Sequence, residues 1–174
     1  PEDRHRRGLV LDWSIADNLV LGLQHRFAAG ARLDGRRIDE NARRLVREFD
    51  IRPADPSAPA RALSGGNQQK IVIAREMTGR DYHVLLAAQP TRGVDVGAIE
   101  FIHDRLRRAR DAGKGIVLVS ADLAEVLALA DRVAVMYRGR FVVVLPRGAA
   151  TAEALGPYMT GAAGDAAATA GSAA

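Results

Sequence analysis

Residues 63 to 76 read Leu63-Ser64-Gly65-Gly66-Asn67-Gln68-Gln69-Lys70-Ile71-Val72-Ile73-Ala74-Arg75-Glu76. A hydroxyl and two glycines precede an apolar stripe at Ile71, Val72 and Ile73, the pattern of a loop turning into a helix. Ser64 suits the N-cap, where its side-chain oxygen accepts one of the unpaired N–H groups of the first turn. Gly65 and Gly66 leave the backbone bare, and the positive end of a helix favours an anion there. The stretch therefore predicts a phosphate-holding turn, although a serine cap on a core helix would read the same way in isolation.

Outward from this stretch, the composition bounds the classes. The chain has 174 residues, enough to bury a core, with 48% hydrophobic and 26% charged residues, as in ordinary globular proteins. No apolar run approaches the ~18 residues of a membrane span. The absence of cysteine excludes disulfides and thiolate–metal sites and suits a reducing compartment. The polar, charged start from Glu2 to Arg7 does not read as a secretory leader. A net charge of +4 raises nucleic-acid binding, but basic and acidic residues are interspersed, as from Arg32 to Asp50, so no nucleic-acid partner is expected. The histidines at 5, 25, 83 and 103 show no zinc spacing, and no serine sits in a Gly-x-Ser-x-Gly elbow.

Periodicity predicts three helices in the first half. One spans Ser14 to Phe27, with Ser14 and Asp17 spaced as a capping box and Ile15, Leu19, Val20 and Leu23 buried. A second runs from Ile38 to Phe49, with Ala42, Leu45, Val46 and Phe49 inward. The third starts at Ser64 and ends near Met77. Arg52 to Pro59, rich in proline, reads as a loop. From Tyr82 onward strands and helices alternate, which argues for an α/β layered sheet. Val84 to Ala88 is an apolar run expected to be buried on both faces. Ala98 to Ala112 reads as a helix, Gly115 to Val119 as a strand, and Leu123 to Ala130 as a helix. Val133–Tyr137 and Phe141–Leu145 read as a hairpin through Arg138-Gly139-Arg140. Residues 161 to 174, mostly Ala, Gly, Ser and Thr, are expected to be a disordered tail.

Four segments in order now resemble one family. Leu63 to Lys70 resembles the signature of ABC transporter ATPases, in the form of importers for simple sugars and nucleosides. Gln89-Pro90-Thr91-Arg92-Gly93-Val94-Asp95 resembles the Walker B end and D-loop. Val117 to Leu123 sits where that family has its switch-histidine strand. Pro1-Glu2-Asp3-Arg4 resembles the Q-loop of the second half. The resemblance implies a partial P-loop NTPase fold, α/β, with a helical subdomain and a mainly parallel sheet lacking its phosphate-loop strand. On it, residues 1–80 carry the Q-loop, helical subdomain and signature helix, 81–160 the rest of the α/β core, and 161–174 the tail. No Gly-x-x-x-x-Gly-Lys-Ser/Thr phosphate loop is present, so the chain is expected to be the C-terminal part of a longer protein.

The resemblance also implies roles. Ser64, Gly65 and Gly66, with Asn67 and Gln68 beside them, would contact the γ-phosphate of ATP in a site completed by the other ATP-binding half. Asp95 would be the D-loop aspartate at the interface between halves, or simply a turn residue after Gly93. Leu11 and Trp13 would face the permease, or be buried. The chain departs from the family at Ala88 and Gln89, where an Asp-Glu pair is usual, at Ala121, where the switch histidine stands, and at Glu2, the Q-loop glutamine position. Alanine offers no oxygen for Mg²⁺, and glutamine cannot take a proton from the attacking water. The implied protein is an ABC-type ATPase whose own segment here does not hydrolyse ATP. It would couple hydrolysis to uptake of a nucleoside or simple sugar at the cytoplasmic face of the plasma membrane. Its partners would be permease subunits and, indirectly, an extracytoplasmic solute-binding protein. Mg²⁺ would be held mainly by residues outside this chain. A non-transport ABC ATPase of translation or DNA repair, or a non-catalytic structural half, is the alternative.

Overall fold

A computed structural model describes residues 4–162. The expectations for Glu2 and for most of the 161–174 tail therefore lie outside the described residues. Contacts divide the chain into two units, Pro1–Val117 and Leu118–Ala174, with the division inside a strand rather than at 80/81. The helix that follows residue 95 packs on the signature helix, which ties residues beyond 80 to those before it.

The first unit opens on a π-helical turn, Arg4–Gly8, then α1 (Ile15–Val20), the short strands β1 (Ala28–Ala29) and β2 (Arg32–Leu33), and α2 (Gly35–Glu48). It continues through α3 (Gly65–Thr78), β3 (Val84–Ala88) and α4 (Val96–Asp111) into β4 (Gly115–Val119). Ser14 caps the helix as expected, its Oγ accepting the Asp17 N–H at 3.0 Å, but the Asp17 carboxylate takes the Ser14 hydroxyl at 2.5 Å where a full capping box would use the Ser14 backbone N–H. The helix is shorter than its periodicity suggests. Leu21 leaves the helical region and Gly22 takes φ +80°, so α1 ends at Val20 and Gln24–Phe27 becomes a separate 3₁₀ turn. Ile15, Leu19, Val20 and Leu23 are nonetheless all buried.

Asp34 caps α2 by accepting from the N–H groups of Arg36 and Arg37. The α2 face of Ala42, Leu45 and Val46, with Phe49, joins Ile15, Leu19, Ile51, Leu63 and Ile71 in one core. Phe49 meets the Phe101 ring of α4 edge-on at 6.2 Å, and the Arg105 guanidinium lies over both rings.

Lys70, buried on α3, donates to the Asp50 carbonyl at 2.8 Å and to its carboxylate at 3.3 Å. The Arg52 guanidinium, hydrogen-bonded to Asp50 at 2.9 Å, chiefly holds that carboxyl below its ordinary range, with Lys70 adding to it and burial opposing. Because folding lowers this pKa, the stabilisation is complete above the unfolded value of about 3.9 and is lost as pH falls through the folded value. Asp50 is half exposed, so the expected contribution is well under about 1 kcal/mol. Asp50→Asn, which tolerates the φ +46° found there, should flatten the acid limb of an unfolding-versus-pH curve below about pH 4 by that small amount. An unchanged limb would show the pair contributes nothing.

β3 and β4 are hydrogen-bonded neighbours connected through α4. The expectation that Val84–Ala88 is buried on both faces is corrected. Ala87 is buried and Leu85 half-buried, but Val84 is 61% and Leu86 66% exposed. Successive side chains of a strand point to opposite faces, and the two most exposed ones here share a face. Among the described residues the strands form three two-stranded sheets, not one continuous layer, and β1–β2 and β5–β6 are antiparallel.

The second unit contains α5 (Leu123–Leu129), β5 (Arg132–Tyr137), β6 (Arg140–Pro146) and α6 (Ala152–Thr160). The expected hairpin forms, with Tyr137 opposite Arg140. Arg138 at φ +47° and Gly139 at φ +78° make a two-residue turn with both centres left-handed, the arrangement whose twist matches paired strands. Val133, Val135, Ala150 and Leu155 form its core.

Candidate functional site

The site candidates gather where α3 begins. Leu63 and Ser64 are extended and Gly65 is the first helical residue, so Ser64 is the N-cap. Its Oγ accepts the Asn67 N–H at 3.4 Å and the Asn67 side-chain N–H at 3.0 Å. A serine hydroxyl has two acceptor lone pairs and one proton. With two bonds accepted from Asn67, the exposed Ser64 hydroxyl keeps its own proton available for donation. The N–H groups of the first turn have no acceptor inside the helix. A donor hydroxyl, first-turn N–H groups and the positive helix end together favour an anionic oxygen.

The two glycines have a second reason to be glycine. A Cβ on Gly65 would lie 2.7 Å from an Arg4 guanidinium nitrogen and 2.8 Å from the Gly93 carbonyl oxygen. A Cβ on Gly66 would lie 2.5 Å from the Asp95 carboxylate and 2.8 Å from the Ala98 Cβ. The bare backbone is thus occupied on this side by the chain itself. Gly66→Ala is expected to cost about 2 kcal/mol through overpacking, read as a lowered unfolding midpoint. A midpoint within error of the parent would mean that α4 gives way easily.

Asp95 is the N-cap of α4, accepting the Ala98 N–H at 2.9 Å. It is a helix cap, and its second oxygen is the one that crowds Gly66. The signature turn and the 90–95 loop are therefore packed together, and Gln69 reinforces this by donating to the Pro90 carbonyl at 2.8 Å.

Gln68 does not join the phosphate-facing group expected from the sequence. It is buried, donating to the carbonyls of Ala60 (3.1 Å) and Leu63 (3.2 Å), while its oxygen meets His5 Nε2 at 2.8 Å. An amide with these partners holds the turn from behind. Asn67 is half-buried, and its oxygen accepts the Arg52 N–H at 2.9 Å, so it too braces the turn.

Ala88 ends β3, half-buried, and Gln89 follows with φ +49°, a left-handed backbone on a residue other than glycine. Neither brings a carboxylate to the end of the strand. Among the described residues no group of three or more His, Asp or Glu could hold a metal ion. Ala121 belongs to the second unit, exposed, just before Asp122 caps α5. Trp13 is 46% exposed, and Leu11 packs partly on the core.

Sequence reasoning gave no individual role to Arg4, His5, Gln69 or Asn18, all of which position this region. Arg4 donates to the carbonyls of Arg92 (2.9 Å) and Gly93 (3.2 Å). Buried Asn18 holds the 10–14 segment through both ends of its amide. The one available cue was that Arg4 ends, and His5 follows, the segment resembling a Q-loop.

The chain is similar along most of its length to import ATP-binding proteins. It is 45% identical over 163 residues to the guanosine import ATP-binding protein of Bacillus subtilis, covering 92% of this chain and 32% of that protein. The nucleoside import ATP-binding protein of Lactococcus lactis matches to the same extent, 45% over 163 residues, again 92% and 32%. The arabinose import ATP-binding protein of Azospirillum brasilense is 44% identical over 156 residues, 89% of this chain and 30% of the relative. The chain thus spans about a third of the length of these curated relatives. No protein-family model matches it. Two solved dimeric structures of an ABC transporter cassette, one in a post-hydrolysis state with ADP and Pi, superpose with TM-scores of 0.66 and 0.67 at 22% identity. They cover 80% and 82% of this chain and 59% and 60% of theirs, which establishes the fold as part of an ABC ATPase cassette. Among the described residues no helix is long and apolar enough to cross a membrane.

Proposed function

We propose that this chain is the C-terminal part of the second ATP-binding half of an ABC importer ATPase for a nucleoside or simple sugar. Its part in that protein is to lend the Ser64–Gly66 turn to an ATP site whose phosphate loop and Walker B acids stand on the other half. The observation that supports this reading is the exposed Ser64 hydroxyl at the head of α3, with Asn67 donating twice to its oxygen. In that site Ser64 would donate to a γ-phosphate oxygen, with first-turn N–H groups beside it. ATP supplies the phosphoanhydride bond whose hydrolysis drives the cycle.

The site built on this half's own strand is the weaker one. Ala88 carries no oxygen for Mg²⁺, and Gln89 cannot act as a proton acceptor, so both tasks fall to residues outside the chain. Ala121 removes a further polar group from the position of the switch histidine. Permease subunits, with a solute-binding protein beyond them, complete the assembly at the cytoplasmic face of the membrane, where Asp95 would lie at the interface between the halves. The similarity to guanosine and nucleoside import proteins favours a nucleoside over a sugar, although arabinose and glucose import proteins are also similar.

Equilibrium titration of ATP into the complete protein tests the reading. Saturable binding weakened by Ser64→Ala is expected. Absence of binding would leave the non-catalytic structural half as the account of the chain.

A further inference from the structure

We propose that Arg4 is the positioning residue of the Ser64–Gly66 turn, a role that rests on the phosphate-contact reading of that turn. The guanidinium stands between two backbone segments, the 92–93 loop and the start of α3. One terminal nitrogen donates to the Arg92 carbonyl at 2.9 Å and the other to the Gly93 carbonyl at 3.2 Å. Its second nitrogen also occupies the space beside Gly65, 2.7 Å from where a Cβ would be. Gly93 itself has φ +67°, so the loop takes a left-handed turn at the point where it meets the guanidinium.

The neighbouring residue works on the other side of the turn. His5 Nε2 lies 2.8 Å from the Gln68 oxygen, and Gln68 in turn donates to the Leu63 carbonyl, immediately before Ser64. Two adjacent side chains of the Arg4–Gly8 turn therefore hold the 92–93 loop and the base of the signature turn. Asp95 and Gln69 close the same knot from α4 and α3. A guanidinium suits this place because its fixed fork serves two carbonyls in one plane, which a flexible ammonium does less well. Without it, the two carbonyls lose a charged donor and the space beside Gly65 opens, so the Gly65 backbone, and with it the Ser64–Gly66 turn, is held less firmly against the 92–93 loop.

A double-mutant cycle in the complete protein tests this, with ATP hydrolysis followed as a function of ATP concentration. Arg4→Ala is expected to raise the KM for ATP about tenfold, and Arg4→Lys to recover part of it. In a Ser64→Ala background the same Arg4→Ala change should shift KM by less than about twofold, since residues that act as a unit are non-additive. A purely structural Arg4 would shift KM equally in both backgrounds, and that result overturns the proposal, as does an unchanged KM in Arg4→Ala. If Ser64→Ala alone leaves KM unchanged, the phosphate reading of the turn fails as well. A normal Ser64 effect with an additive Arg4 effect sinks the positioning role alone. Should Arg4→Ala not fold, Arg4→Gln, which keeps one amide donor, carries the same comparison.

Discussion

Ser64→Arg in the complete protein is expected to abolish ATP hydrolysis, while Gln89→Ala leaves it within about twofold of the parent. The first change replaces the exposed hydroxyl that caps α3 with a long cation at the helix N-terminus, the wrong charge for that end. It also fills the space an anionic oxygen would take. The loss should exceed about a hundredfold in kcat/KM, the scale found when a donor to developing negative charge is removed from an enzyme. Gln89 has no proton-accepting group to lose, and alanine at the end of β3 removes only its amide. Steady-state hydrolysis by the two variants, purified side by side, is the measurement. Equal damage from both would mean that Gln89 takes part in chemistry, and the division of labour between the halves would be wrong.

The largest effect on stability is expected at Asn18. Its side chain is fully buried, accepts the Val10 N–H at 2.8 Å, and donates to the carbonyls of Val10 (2.9 Å), Ser14 (3.0 Å) and Trp13 (3.3 Å). Asn18→Leu keeps the volume and removes every one of these bonds. With a backbone donor and several carbonyls left without their partner, the cost should be about 3 kcal/mol. The 9–14 segment is also tied to the loop before the signature, because Ala60 donates to the Trp13 carbonyl and Arg61 to that of Leu11. Chemical unfolding of the variant should show a midpoint shift of that size without a matching change in slope. A shift below about 1 kcal/mol would show that water replaces the amide easily.

The helical part of the fold was open to reading from the chain because its signals are local. Ser14 and Ser64 each cap a helix through bonds three residues away, and the buried stripes of α1 and α2 recur at helical spacing, although α2 starts at Gly35 under an Asp34 cap and not at Ile38. The end of α1 was misplaced because Gly22 sits within a pattern that otherwise continues to Phe27. β3 was misjudged for a different reason. An apolar run carries no sign of what covers each face, and Val84 and Leu86 turned out to be exposed.

At the candidate site, sequence could name Ser64 and Gly65 but could not rank their neighbours. Gln68 and Asn67 are both polar residues beside a glycine pair, and nothing local tells which way an amide points. Only the bonds from Gln68 to Ala60, Leu63 and His5 show that it faces inward. Arg4 lies 88 residues from Arg92, a separation at which pairing leaves no trace in a single sequence.

The crowding around Gly65 and Gly66 bears on how such a turn would change over evolutionary time. Both positions are closed to a side chain by Arg4, Gly93, Asp95 and Ala98, whatever the turn binds. A descendant that had given up nucleotide altogether would still be held to glycine at both sites by its own packing. Ser64 is under no such hold beyond a replaceable helix cap. Drift at residue 64 with the glycine pair intact would therefore be the mark of a lineage that has stopped using ATP, and persistence of the glycines would say nothing on the matter.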